Sequence, residues 1–212
     1  MEGAERIPDA PGVIVASNHL SIVDPLLVSI TIERLVGRRV RYMAKAEALD
    51  WPVLGPLMRA YGGFGVRRGR ADREAYRMAR EVLDSGDWLG LAPEGTRSRT
   101  GHLGEPKPGV ALLALRAGAP ILPVGISGSE RLWPVGARLP RPASSVTLRF
   151  GQVLRPEDLG LGAETPQEDP AGVSLSPASG SGRRRETVDR ATETLMNRIA
   201  ELLPPAYRGR FG

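Results

Sequence analysis

The chain has 212 residues, with 29 basic and 24 acidic side chains for a net charge of +5 at neutral pH and 41% apolar content; this describes one folded domain with its own core and excludes a disordered polyelectrolyte. It has no cysteine, and its only histidines are His19 and His102, which excludes disulfides, thiolate metal sites and a cysteine nucleophile and leaves no material for a multi-histidine metal centre. All but Lys45 and Lys107 of the basic residues are arginine, the side chain whose planar fork grips phosphate and carboxylate at two points, so anionic partners are expected.

The opening stretch, MEGAERIPDAPG, is acidic and proline-bearing, without the basic start and apolar core of a signal peptide; the expectation is a chain that stays on the cytosolic side. Residues 13–16 are an apolar β-branched run that suits a buried strand. Beyond Ser17, Asn18 and His19, Asp24 stands before Pro25, the pattern of an N-cap followed by proline in the first helical position, and 26–35 continues as helix. Residues 39–45 alternate around Val40, Tyr42 and Ala44 as a second strand. Residues 51–60 are apolar but broken by Pro52, Gly55 and Pro56, and fit no single element.

A strand with close backbone approach is expected over 62–66, and Ala75, Ala79, Val82 and Leu83 mark one face of a helix that stops at Gly86. A strand over 89–92, a loop over 93–108, a helix over 109–117 closed by Gly118, and a strand over 121–126 follow. The stretch 110–126 is the most apolar, yet Arg116, Gly118, Pro120 and Pro123 keep it far from the roughly 18 to 20 uninterrupted apolar residues of a membrane span. Residues 145–150 add a late strand. Between 160 and 182 the composition shifts to Gly, Ala, Ser, Pro and acidic residues without period, a flexible insertion. Val188, Ala191, Leu195, Ile199 and Leu202 then define a packing helix over 186–203, ended by Pro204 and Pro205. Alternating strands and helices imply a single α/β domain over 1–212, with a mixed, partly parallel sheet flanked by helices.

Two polar stretches sit where strands end, the edge at which open α/β sheets bind ligands. The first is Asn18-His19-Leu20-Ser21-Ile22-Val23-Asp24. Five helical steps would put His19 and Asp24 about 140° out of alignment, so a turn must intervene for them to meet. If Asp24 folds back onto the imidazole, it fixes the tautomer and stabilises the imidazolium of a general base. A capping aspartate beside an uninvolved loop histidine is the ordinary alternative. The second is Pro93-Glu94-Gly95-Thr96-Arg97-Ser98, where Gly95 allows a tight turn, Arg97, Ser98 and free amides suit phosphate oxygens, and Glu94 suits Arg97 or a substrate hydroxyl. An ordinary polar turn remains the other reading. Arg67, Arg68 and Arg70 crowd a strand end, either as an anion site or as a solvated charge run. Lys107 and Gly109 add an anion contact at a helix start. His102, in a glycine-flanked loop, reads as a surface residue.

These blocks, in this order and spacing, resemble those of the glycerolipid acyltransferases, the family of the 1-acylglycerol-3-phosphate acyltransferases, over residues 11–133. Asn18, His19 and Asp24 match its His-x4-Asp block; Gly63 to Gly69 looks like its second block, with Arg68 on the family arginine and Arg67 where aspartate is common. Residues 93–98 with Lys107-x-Gly109 are similar to the third, and 119–124, with Pro123 on the usual proline, to the fourth. The resemblance implies a glycerol-3-phosphate acyltransferase-like fold and direct acyl transfer from acyl-CoA or acyl-ACP to the free sn-2 hydroxyl of 1-acylglycerol-3-phosphate, giving phosphatidic acid. On that reading His19 is the base and Asp24 its orienter. Arg68, Glu94, Gly95, Thr96, Arg97 and Lys107 form the phosphate site, with Asn18, Ser21 and Pro123 in support. No metal and no permanently bound cofactor is implied; the acyl thioester is a co-substrate.

The same blocks occur with other lysophospholipid, glycolipid or aminolipid acceptors, so the acceptor stays open, as does a non-catalytic basic module binding lipid or nucleic acid. Few aromatics and no recognisable nucleic-acid motif argue against nucleic acid. Family members often carry hydrophobic helices before the first strand, where this sequence has only residues 1–12. Peripheral attachment to the inner face of the cell membrane is therefore expected, through 51–58 and the arginines of 67–70, with core packing of 51–58 as the alternative.

Overall fold

In a computed structural model of the protein, residues 1–52, 54–66, 71–137, 139–141, 145–160 and 182–212 are described. Strands β1 (Ile14–Ser17), β2 (Val40–Lys45), β3 (Phe64–Val66), β4 (Trp88–Leu91), β5 (Ile121–Ser127) and β6 (Thr147–Phe150) form one sheet in the order β3-β2-β4-β1-β5-β6. Every neighbouring pair is parallel except β5 with β6. The helices are α1 (Asp24–Val36), α2 (Ala46–Leu49), α3 (Leu54–Ala60), α4 (Ala71–Asp84), α5 (Gly109–Ala117), α6 (Ser129–Leu132) and α7 (Gly182–Glu201). This is the expected α/β domain with a mixed, mostly parallel sheet.

Successive side chains of a strand point to opposite faces, and the core divides accordingly. Ile14, Ala16, Leu89 and Ile121 pack with Ala79 and Val82 of α4, Leu113 of α5 and Leu195 and Ile199 of α7. Val15, Trp88, Leu122 and Val124 pack on the other face with Val28 and Ile32 of α1. All four residues of β1 are buried, as a central strand covered on both faces requires. Because β1, β4 and β5 run in parallel, their carboxyl ends open on one edge, and the polar stretches at 17–24 and 92–98 meet there.

The sequence reading differs from the structure in a few places. Residues 51–60 contain α3, which tolerates Gly55 and Pro56 because both fall in its first turn, where amides lack an intrahelical acceptor. The last helix covers Gly182–Glu201 rather than 186–203; Pro204 disfavours helical backbone at the residue before it, and Leu202 and Leu203 form a closing turn. Helices α2 and α6, four residues each, are too short to show a period. Of the insertion expected at 160–182, residues 161–181 lie outside the described residues.

Candidate active site

Asn18 continues the β1 ladder with its side chain. Its Nδ2 donates to the Ile126 carbonyl at 2.9 Å and its Oδ1 accepts from the Ile126 amide at 2.7 Å, so the carboxamide stands in for one more peptide between β1 and β5. The chain then leaves the sheet in a turn closed by Asp24 N donating to Ser21 O, and the turn delivers His19 back to Asp24. Asp24 Oδ2 lies 3.1 Å from His19 Nδ1 and accepts from the amides of Leu20 and Ser21, both at 2.7 Å. Asp24 is 1% exposed, while the His19 side chain keeps 22% of its surface open.

Asp24 does not act as the N-cap that its position before Pro25 suggested. It is the first residue of α1, which has no side-chain cap; the two amides of the preceding turn attract its carboxylate backwards instead. With Oδ2 accepting, Nδ1 carries the imidazole proton and Nε2 is left as the acceptor, the arrangement of an oriented base.

The 93–98 stretch holds the same histidine by its backbone. Glu94 Oε1 accepts from His19 N at 3.2 Å, and Ser98 N donates to His19 O at 2.7 Å. The second Glu94 oxygen accepts from Gly104 N at 2.9 Å. Glu94 is 3% exposed, and burial raises its carboxyl above the usual range against the opposing pull of these two amides. Both oxygens are thus engaged inward, which makes Glu94 a strut between loops rather than a group facing a phosphate.

Gly95 turns the chain at φ 66°, a left-handed backbone that favours glycine, and the end of the Lys107 side chain lies over it, 3.0 Å from where a Cβ would stand. Lys107 is held by its amide donating to Pro93 O at 2.8 Å. Thr96 is exposed and Arg97 partly so, and neither Arg97 nor Lys107 makes an ion pair among the described residues. Ser21 Oγ donates to Trp133 O at 2.7 Å, tying the histidine turn to the segment after α6. Pro123 lies within β5 opposite Ala16 and accepts from Gly151 N, so it belongs to the sheet beneath the site. Arg68, with Arg67, lies outside the described residues. His102 is exposed.

An open, mainly apolar cleft begins beside Asp24, lined by Val23, Pro25, Leu26, Tyr42, Met58 and Tyr61 among others. Burial pushes the Tyr42 phenol well above its usual range, and neither Tyr42 Oη nor Asp24 Oδ1 has a hydrogen-bond partner among the described residues. The sequence did not reveal this cleft, because its walls come from α1, β2 and the segment around α3. The amides of Ser98 and Gly104 were also missed, since a backbone donor leaves no mark on residue type.

Comparisons with known proteins bear on the family and the fold. A family model described as Acyltransferase matches residues 1–127. A chloroplastic 1-acyl-sn-glycerol-3-phosphate acyltransferase of Arabidopsis thaliana is 30% identical over 141 residues, 65% of this chain and 38% of that protein. The enzyme of the same name from Borreliella burgdorferi is 33% identical over 133 residues, 62% of this chain and 52% of its own. The matches therefore span well under two thirds of these relatives. The crystal structure of the 1-acyl-sn-glycerophosphate acyltransferase PlsC of Thermotoga maritima superposes with a TM-score of 0.60 at 28% identity, over 90% of this chain and 67% of that one. With the family model covering more than half of its length and its fold shared with a solved member, the chain belongs to the acyltransferase family.

Proposed function

We propose that the protein transfers a fatty acyl group from a thioester, carried by coenzyme A or acyl carrier protein, to the free sn-2 hydroxyl of a 1-acylglycerol-3-phosphate, giving phosphatidic acid. The observation that carries the reading is the His19–Asp24 pair, with an apolar cleft lined by Val23 and Pro25 on either side of Asp24. His19 Nε2 removes the hydroxyl proton as the alkoxide attacks the thioester carbonyl; the C–S bond then breaks, and the departing thiolate takes the proton from the imidazolium. Asp24 stabilises that imidazolium. No acyl-enzyme is needed, and the chain has neither a cysteine nor a Gly-x-Ser-x-Gly elbow.

The cleft suits the acyl chain, and Arg97 and Lys107, with the exposed amides near Gly95 and Thr96, suit the acceptor phosphate; Arg68 is assigned there by resemblance alone. The test is release of free thiol from a long-chain acyl-coenzyme A with lysophosphatidic acid, against a mixture without acceptor and a His19→Ala control. Acceptor-dependent release lost in the variant is expected. Release without acceptor would make the protein a thioesterase, and release only with other lysolipids would reassign the acceptor.

No helix among the described residues is long and apolar enough to cross a membrane. Trp51 and Leu57 are 42% and 36% exposed, and Leu57 lines the cleft together with Met58. We assign peripheral attachment at the inner membrane face to this side, with the net positive charge favouring anionic lipid. Stronger cosedimentation with anionic than with neutral vesicles, reduced by salt, is the expected result; equal binding to both would refute it.

A further inference from the structure

The loop that lends the Gly104 amide to Glu94 is itself held by a part of the chain beyond the 1–127 match. Leu103 N donates to the carbonyl of Tyr207 at 2.8 Å. The next amide, Gly104 N, donates to Glu94 Oε2, and the other oxygen of Glu94 accepts from His19 N. Tyr207 is anchored in turn by its hydroxyl, which donates to Glu130 Oε1 of α6 at 2.9 Å. Three residues on, the Arg210 guanidinium bridges Glu105 of the same loop, at 3.0 Å, and Glu193 of α7. Between them Gly209 has φ 59°, and a Cβ there would stand 2.9 Å from the Leu103 carbonyl oxygen, so backbone lies directly on backbone. Leu103 is 7% exposed, with Tyr207 and Phe211 packed in its core cluster.

We propose that residues 203–211 form a strap that positions the active-site loop, with Tyr207, Gly209 and Arg210 acting on His19 through Leu103, Gly104 and Glu94. The proposal rests on the reading of His19 as the base. Asp24 fixes the imidazole ring; the strap fixes the peptide that carries it. A base displaced by a fraction of an ångström loses its alignment with the substrate hydroxyl, so the strap acts on rate more than on binding.

The test is amide hydrogen exchange, read by NMR on the whole chain, together with acyl-transfer kinetics, for Gly209→Ala, Arg210→Ala and Arg210→Lys. In the first two, exchange at Leu103, Gly104 and His19 should rise about tenfold or more while the amides of β1 and β5 keep their protection. The kcat should fall with the KM for the thioester nearly unchanged, and Arg210→Lys, which keeps the charge but not the fork that joins Glu193 and Glu105, should fall between Arg210→Ala and the wild type in exchange and in kcat. Arg210→Ala removes side-chain ion pairs near the surface and the guanidinium's contact with the Phe211 ring, without backbone strain, and serves if Gly209→Ala does not fold. Unchanged exchange at Gly104 and His19, or a rise spread evenly over the sheet, overturns the strap. A local rise in a protein that transfers no acyl group keeps the strap and removes the reading of His19 as a base.

Discussion

Asp24 Oδ2 faces His19 Nδ1 at 3.1 Å while taking the amides of Leu20 and Ser21 on the same oxygen. One atom therefore sets both the turn and the imidazole. Asp24→Asn can keep an oxygen in that place and so preserve the turn, but it removes the charge that stabilises imidazolium. We expect a folded protein, by circular dichroism and unchanged chromatographic behaviour, whose kcat is lower by on the order of 10²-fold or more. Wild-type turnover by a folded Asp24→Asn would show that the carboxylate has only a structural role.

His19 separates chemistry from architecture more sharply, because its side chain contacts Asp24 but its structural bonds run through its backbone to Glu94 and Ser98. His19→Ala should keep those bonds and the thermal midpoint, while transfer falls by about 10²- to 10⁴-fold, the usual worth of a general base. Near-normal turnover by the purified variant would end the proposed mechanism.

The Asn18 carboxamide is 2% exposed and pairs with both polar groups of Ile126. In Asn18→Ala those two buried groups lose their partners, at a cost of about 1–3 kcal/mol each. Urea denaturation should show a lower midpoint with the slope unchanged. A change below measurement error would mean that solvent reaches the end of β1 and replaces the side chain.

Much of this architecture is legible in the sequence because the elements are separated by strong punctuation. Helix α5 ends where Gly118 takes a left-handed backbone, α1 ends likewise at Gly37, and β1 declares itself by a four-residue apolar run. His19 and Asp24 are legible as a pair only on the condition that a turn joins them, and the Ser21–Asp24 bond supplies it. What sequence could not give is what the backbone does. Glu94 reads as a substrate-facing acid, yet its partners are the amides of His19 and Gly104, donors that every residue but proline owns. The cleft was hidden for a related reason: Leu26, Tyr42 and Met58 are separated in sequence and share a wall only after β2 and α3 are placed.

Glu94 also gives a pH prediction. Burial raises its folded carboxyl above the ordinary value of 4.5, so the folded state holds this proton more tightly than the unfolded chain does. Its contribution to stability is therefore fully present below the unfolded value and declines as pH rises through the window up to the folded one. Glu94→Gln cannot titrate there. The stability of the wild type relative to Glu94→Gln, from denaturation at a series of pH values from about 4 to about 7, should be greatest at the acid end and fall with pH. A difference that grows with pH would mean that the two amides, not burial, dominate the carboxylate.

Arg97 tests the acceptor. It follows the Gly95 turn, directly precedes the Ser98 amide that binds His19 O, and makes no ion pair among the described residues, so its charge is available to a ligand beside the base. A charge-assisted bond to phosphate is worth about 1.5–3 kcal/mol, or roughly 10- to 150-fold in binding. Arg97→Ala should therefore raise the KM for lysophosphatidic acid by that order and leave kcat little changed, because a contact made equally in ground and transition states alters binding alone. Monoacylglycerol, which lacks the phosphate, should be used equally poorly by both proteins. If Arg97→Ala instead lowers kcat for both acceptors alike, the guanidinium acts on the base or the thioester, and the phosphate must be held elsewhere.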